Sequence, residues 1–306
     1  MILITGASGL LGANLMAVAR EQGRDVVGLY HRHAFYLPGM RLVSADLTDQ
    51  RQIAAIFDQF EPDLVIHCAA ATHVDWCEAN RAAAHTINCE VPGILARVTA
   101  QTRAQMLYIS TDAVFDGSRG DYAESDSPTP LNVYAQTKLQ GEMRVLEQNP
   151  RAAIARVNLY GRGGQTKRSL VEWILDRLAL GEVVPAFTDV VFCPISANDL
   201  AHILLAMVDR KLSGLYHAVG SEPISKYQFA KRVALAFAFD PRHVVPVLLA
   251  DAKLAAPRPL NTSLSTMKIR AALEHPMPDV DSGLRNFASQ ARQCWQNKHG
   301  SAEVLQ

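Results

Sequence analysis

The sequence predicts an α/β fold: a doubly wound parallel sheet of the Rossmann kind, followed by a smaller C-terminal α/β region. Three observations carry this. Strand-like apolar runs alternate with helix-like runs from the first residue. A glycine-spaced turn, Gly6-Ala7-Ser8-Gly9-Leu10-Leu11-Gly12, joins the first run to the second. After Tyr160 the rhythm changes to short strands among helices.

In order, residues 1–4 read as a strand, 10–22 as a helix and 25–30 as the second strand. A loop with Pro38 and Gly39 leads to a third strand over 41–45. Residues 50–60 place Ile53, Ile56, Phe57 and Phe60 on one helical face. The apolar run after Pro62, over 63–67, is a buried-type strand. A long helical stretch spans 76–102, then come a strand over 106–110, a helix over 133–147 and a strand over 152–157. Gly161-Arg162-Gly163-Gly164 is a loop. Helices are predicted over 169–180, 198–208 and 225–237, with strands over 183–187 and 214–217. Two helical patches follow, near 266–273 and 282–293. The expected division is a dinucleotide-binding domain over 1–160, to which C-terminal elements can return, a substrate-binding region over 161–294, and a frayed tail over 295–306.

Composition narrows the function classes. Apolar residues make up 49% and charged residues 20%, as in a soluble globular protein. Lys+Arg and Asp+Glu both number 30, so bulk charge predicts neither nucleic-acid nor membrane binding. No apolar run reaches the ~18–20 residues of a spanning helix. The N-terminus enters a strand at once, which predicts no signal peptide. The five cysteines, Cys68, Cys77, Cys89, Cys193 and Cys294, form no Cys-x-x-Cys pair, so buried thiols in a reducing cytoplasm are expected, with no metal site.

The glycine turn has a specific physics. Gly6 permits the tight turn, Gly9 lets backbone approach a pyrophosphate, and Gly12 lets the helix lie close to the sheet. The helix N-terminus offers free N–H groups to phosphate. The second strand ends Leu29-Tyr30-His31-Arg32-His33, with no acid to take the ribose hydroxyls of NAD. Tyr30, His31 and Arg32 therefore favour NADP(H), with NAD(H) as the second candidate. Asp46 and Leu47 are placed to reach the adenine, and Cys68, Ala69 and Ala70 form a small-residue turn at the cofactor's middle.

Tyr134 and Lys138 stand four apart in a helix and share a face. An ammonium beside a phenol favours the phenolate, and so is expected to lower the Tyr134 pKa. Thr111, closing the strand before, is placed to hydrogen-bond the same substrate oxygen. This set, behind a dinucleotide turn, points to proton exchange coupled to hydride transfer at a carbonyl or alcohol.

Taken with Ala69-Ala70-Ala71-Thr72-His73-Val74-Asp75, Ser110-Thr111-Asp112-Ala113-Val114-Phe115-Asp116-Gly117, Tyr122 through Tyr134, and Arg258-Pro259-Leu260-Asn261-Thr262-Ser263-Leu264, the chain resembles the extended short-chain dehydrogenases/reductases, and among them the dTDP-4-dehydrorhamnose reductase-like family. The resemblance implies Thr111, Tyr134 and Lys138 as a catalytic triad. It implies a cofactor site that adds Ser8, Leu10, Leu11 and Thr72 to the residues above. It implies a nucleotide-sugar substrate, held by Val74, Asp75, Asp112, Ala113, Asn158 and Arg258, and is compatible with a homodimer. Arg258, stiffened between Pro257 and Pro259, is the expected diphosphate clamp. The family usually carries Tyr at Ala113 and Trp at Asn158, so this pocket has lost aromatic surface. Ala113 also stands where related dehydratases carry a Glu. Epimerisation, and a non-catalytic role similar to the regulatory subunit of methionine adenosyltransferase, are the competing readings.

Overall fold

Strand β1 (Ile2–Thr5) is an interior strand of a seven-stranded, wholly parallel sheet. The computed structural model describes residues 1–32, 35, 39–163 and 168–299. His33, Pro38, Gly164 and residues 300–306 of the predicted tail lie outside the described residues.

After β1 come α1 (Leu10–Glu21), β2 (Val26–Tyr30), β3 (Arg41–Ser44), α2 (Gln50–Phe60) and β4 (Leu64–His67). The predicted long helix is three shorter pieces, α3 (Val74–Ala79), α4 (Arg81–His85) and α5 (Val91–Thr102), with a single π turn, Thr86–Glu90, before α5. Then follow β5 (Gln105–Thr111), α6 (Val133–Gln148) and β6 (Ala153–Val157). The later elements are β7 (Leu159–Tyr160), α7 (Leu170–Ala179), β8 (Val184–Phe187), β9 (Val191–Phe192), β10 (Ile195–Ser196), α8 (Ala197–Asp209), β11 (Gly214–His217), β12 (Ile224–Ser225), α9 (Lys226–Ala236), β13 (Val244–Val247), α10 (Met267–Leu273) and α11 (Val280–His299). The last helix runs to His299, past the point where fraying was expected.

The strand order is β11-β6-β5-β4-β1-β2-β3. Strand alternation builds two cores from one sheet. Ile2, Ile4, Leu64, Ile66, Leu107 and Ile109 face α1 and α8, with Leu15, Met16, Leu200 and Leu204. Leu3, Val65, Met106, Tyr108 and Ile154 face α2, α5 and α6, with Ile53, Phe57, Leu95 and Val145. Strand β11 and helix α8 thus return from the C-terminal half to complete this sandwich.

Helix starts follow local chemistry. Asp49 caps α2 by accepting from the Arg51 N–H, and Asn132 caps α6 by accepting from the Ala135 N–H at 2.9 Å. Ser169 and Glu172 form a reciprocal capping box on α7. A third core, with Tyr160, Val171, Ile174, Phe192, Phe229 and Phe287, joins the helices and short strands of the C-terminal region.

Candidate active site

The chain leaves β1 and β4 in opposite lateral directions, so a crevice opens at the carboxyl ends of these neighbouring strands. The glycine turn occupies it. Gly6 has φ +65°, and a Cβ there would sit 2.7 Å from the Ala69 nitrogen. A Cβ at Gly12 would fall 2.3 Å from the Gly6 carbonyl oxygen. Only hydrogen side chains allow α1 to start here.

A cleft of about 960 Å³ runs from this turn to the C-terminal region. Gly6, Ser8, Gly9, Leu10, Leu11 and Gly12 line it, with Tyr30, His31 and Arg32 at the end of β2 and Asp46 and Leu47 after β3. Cys68, Ala69, Ala70 and Thr72, after β4, form its middle. Thr111, Asp112, Tyr134, Lys138, Val74 and Asn158 line the remainder. The volume of the cleft, the glycine cradle and the Arg32 guanidinium at one end fit a dinucleotide.

At the centre, the Thr111 side chain lies beside the Tyr134 phenol and acts to lower its pKa. Lys138 is 2% exposed, and its ammonium donates to the Tyr108 hydroxyl at 2.7 Å and the Ile109 carbonyl at 2.6 Å. Tyr108 donates onward to the Asn88 carbonyl at 3.0 Å. The expected lowering of the phenol is not found: burial pushes Tyr134 up to about 12, because a phenolate there would be desolvated. Burial also lowers Lys138 to about 7, against the attraction of Glu142 and Cys68. Glu142 is itself held by a buried pair with Arg156 at 2.7 Å and by Ser110 at 2.5 Å.

Asp112 is buried, and desolvation raises its pKa. Its Oδ2 accepts from Asn158 at 2.6 Å and Thr262 at 2.5 Å, and its Oδ1 from Thr111 at 3.2 Å. Asn158 thus helps hold the carboxyl next to Thr111.

Three residues expected around the substrate, Ala113, Asp75 and Arg258, lie outside the lining of this cleft. Ala113 lies in the short 3₁₀ turn Asp112–Val114. Arg258 donates to Asp75 at 2.9 Å and to the Ala256 carbonyl at 2.9 Å, and Asp75 also accepts from the Ala256 N–H. The guanidinium closes its own loop onto α3 instead of standing open for a diphosphate. Asp46, expected to reach the adenine, stands at the end of the cleft with His31 and Arg32. Asp46 lies 3.6 Å from the His31 ring across the strand ends, where Thr48 hydrogen bonds, with His31 and Arg32 nearby, lower its pKa.

The RmlD substrate binding domain family matches residues 1–293. The chain belongs to the dTDP-4-dehydrorhamnose reductase-like family of extended short-chain dehydrogenases/reductases. It is 34% identical over 287 residues to a probable low-salt glycan biosynthesis reductase, Agl14, of Haloferax volcanii, covering 92% of this chain and 95% of the relative. It is 33% identical over 278 residues to methionine adenosyltransferase 2 subunit beta of Xenopus laevis, covering 87% and 80%. The crystal structure of dTDP-4-dehydrorhamnose reductase from Bacillus anthracis in complex with NADP superposes with a TM-score of 0.85 at 28% identity, covering 94% of this chain and 98% of that one.

Within this member of the dTDP-4-dehydrorhamnose reductase-like family, sequence reasoning missed Tyr108, Asn88 and Lys226. Tyr108 sits in a strand whose alternation marks it as core, which hides a hydroxyl aimed at Lys138. Asn88 is buried in the π turn, where its side-chain amide exchanges hydrogen bonds with the Ala71 backbone at 2.8 and 3.1 Å. Lys226 lines the cleft from the first turn of α9. A cation at a helix N-terminus opposes the dipole, and that was the available signal.

Proposed function

We propose that this chain is an NADPH-preferring reductase of a nucleotide-linked keto sugar. The observation that carries the reading is the convergence of Thr111, Tyr134 and Lys138 on the cleft that begins at the glycine turn. The NADP complex of the Bacillus anthracis relative and the reductase name of the Haloferax volcanii relative support it.

A bound reduced nicotinamide supplies hydride to the carbonyl carbon. Tyr134 donates the proton to the carbonyl oxygen, and its high pKa keeps the phenol protonated and ready to give. Thr111 orients that oxygen and steadies the developing charge. Lys138 faces the same cleft, where its ammonium can hold the ribose hydroxyls. His31 and Arg32 take the 2′-phosphate.

The decisive experiment follows NADPH oxidation against dTDP-, UDP- and GDP-linked 4-keto sugars. Turnover with at least one supports the reading, and its absence with all of them overturns it. The Xenopus laevis relative favours a second reading, a non-catalytic NADP-binding subunit. That reading expects tight NADPH binding with no turnover.

A further inference from the structure

Lys226 is a cation in the cleft for which the chemistry above has no use. Its backbone is fixed from both sides. Strand β12 pairs antiparallel with β9, setting Ile224 against Phe192, and the Lys226 N–H donates to the Val190 carbonyl at 2.9 Å. Ser225 caps α9 by accepting from Gln228. The side chain then lies with its ammonium 3.6 Å from the centroid of the buried Phe192 ring.

That seat is unfavourable without a ligand. The position adds a positive charge to the positive end of a helix. Burial lowers the ammonium to about 8, against the attraction of Asp112 and the face of the Phe192 ring. Yet the oxygens of Asp112 already accept from Thr262, Asn158 and Thr111. Among the described residues no acceptor takes a hydrogen bond from the Lys226 ammonium, so its donors are left to the cleft. The side chain is only partly buried, and oxygen atoms of a ligand in the cleft can take hydrogen bonds from these donors.

The neighbours say which part of the ligand. Asp112 follows Thr111 and accepts from its hydroxyl, and both line the cleft with Tyr134. Lys226 therefore serves the reacting end of the cleft, opposite His31 and Arg32. The Asp112 carboxyl beside it balances its charge, which suits a neutral, hydroxyl-rich ring better than a further anion.

We propose that Lys226 is a substrate-binding residue that donates hydrogen bonds to the hydroxyl oxygens of the sugar ring. This rests on the nucleotide-sugar reading above. The test is calorimetry on the NADP-loaded protein with four probes: dTDP-glucose, dTDP, UDP-glucose and UDP. The wild-type protein is expected to bind at least one sugar nucleotide more tightly than its parent diphosphate. Lys226→Met should weaken the sugar nucleotide roughly 10- to 100-fold, the worth of a charged hydrogen bond, and leave the diphosphate within about twofold. Lys226→Gln, which keeps an N–H donor, should recover part of the loss. An unchanged NADPH affinity in both variants shows that the fold is intact. Equal losses for sugar nucleotide and diphosphate would place Lys226 on the diphosphate and overturn the proposal. So would unchanged binding in Lys226→Met, or a wild-type protein that does not distinguish sugar nucleotide from diphosphate. A wild-type protein that binds none of the four probes overturns the nucleotide-sugar reading itself, and this proposal with it.

Discussion

The Lys138 ammonium donates to the Tyr108 hydroxyl at 2.7 Å and lies 4.0 Å from the centre of the same ring. Tyr108 thereby joins the buried cation to the Asn88 carbonyl in the π turn before α5. Tyr108→Phe removes an acceptor from the ammonium and a donor from the carbonyl. It should destabilise the protein by about 1–3 kcal/mol, measured by urea unfolding. An unchanged stability would mean that Lys138 finds another acceptor at no cost.

Lys138 also sets a pH dependence. Its folded pKa of about 7 lies below the ordinary lysine value, so above pH 7 the unfolded chain binds more protons than the folded one. Stability is therefore expected to rise from pH 7 to 9 by about 2 kcal/mol in cofactor-free protein. Lys226, lowered to about 8, acts in the same sense. Cys68, raised to about 12, opposes both only above its ordinary value of 9.0. Unfolding curves at pH 7, 8 and 9 should show the slope in wild type and a flatter one in Lys138→Met.

Tyr134→Phe keeps the ring and removes the proton. Turnover on the true substrate should fall by roughly 10²–10⁴, with NADPH affinity within several-fold. Stopped-flow hydride transfer is the measurement, and near-wild-type rates would assign the acid to another group.

At the adenine end, Arg32→Ala should narrow the preference for NADPH over NADH by about 1.5–3 kcal/mol. Asp46 lies beside this site, so the variant leaves a carboxylate positioned to meet ribose hydroxyls. NADH affinity should then hold or improve. Titration of both cofactors against both proteins checks this, and a wild type preferring NADH would refute the role given to His31 and Arg32.

Arg258 and Asp75 form one unit, which fastens the Ala256 loop to α3. Arg258→Ala and Asp75→Asn should raise KM for the sugar nucleotide to a similar extent, and the double variant no further. Their coupling in stability should be modest, about 0.2–1 kcal/mol, because both side chains are partly exposed. A much larger KM effect from Arg258 alone would mean that the guanidinium leaves Asp75 to meet the substrate.

The parallel sheet, the glycine turn and the Thr111, Tyr134 and Lys138 set could be read from sequence because each rests on short-range regularity. Strand alternation, the spacing in Gly6-Ala7-Ser8-Gly9-Leu10-Leu11-Gly12 and four-residue helical spacing are local properties of the backbone. Partner choice across the fold is not local. Whether Lys138 meets Tyr134 or Tyr108 depends on where β5 lies under α6. Whether Arg258 faces the cleft or Asp75, 183 residues away in the chain, depends on how the Ala256 loop closes. The phenol of Tyr134 was expected to fall and instead rises, since burial, a property of the assembled core, outweighs a neighbouring charge. Lys226 reaches the reacting end of the cleft only because β12 pairs with β9, and neither two-residue strand has enough sequence to announce that pairing.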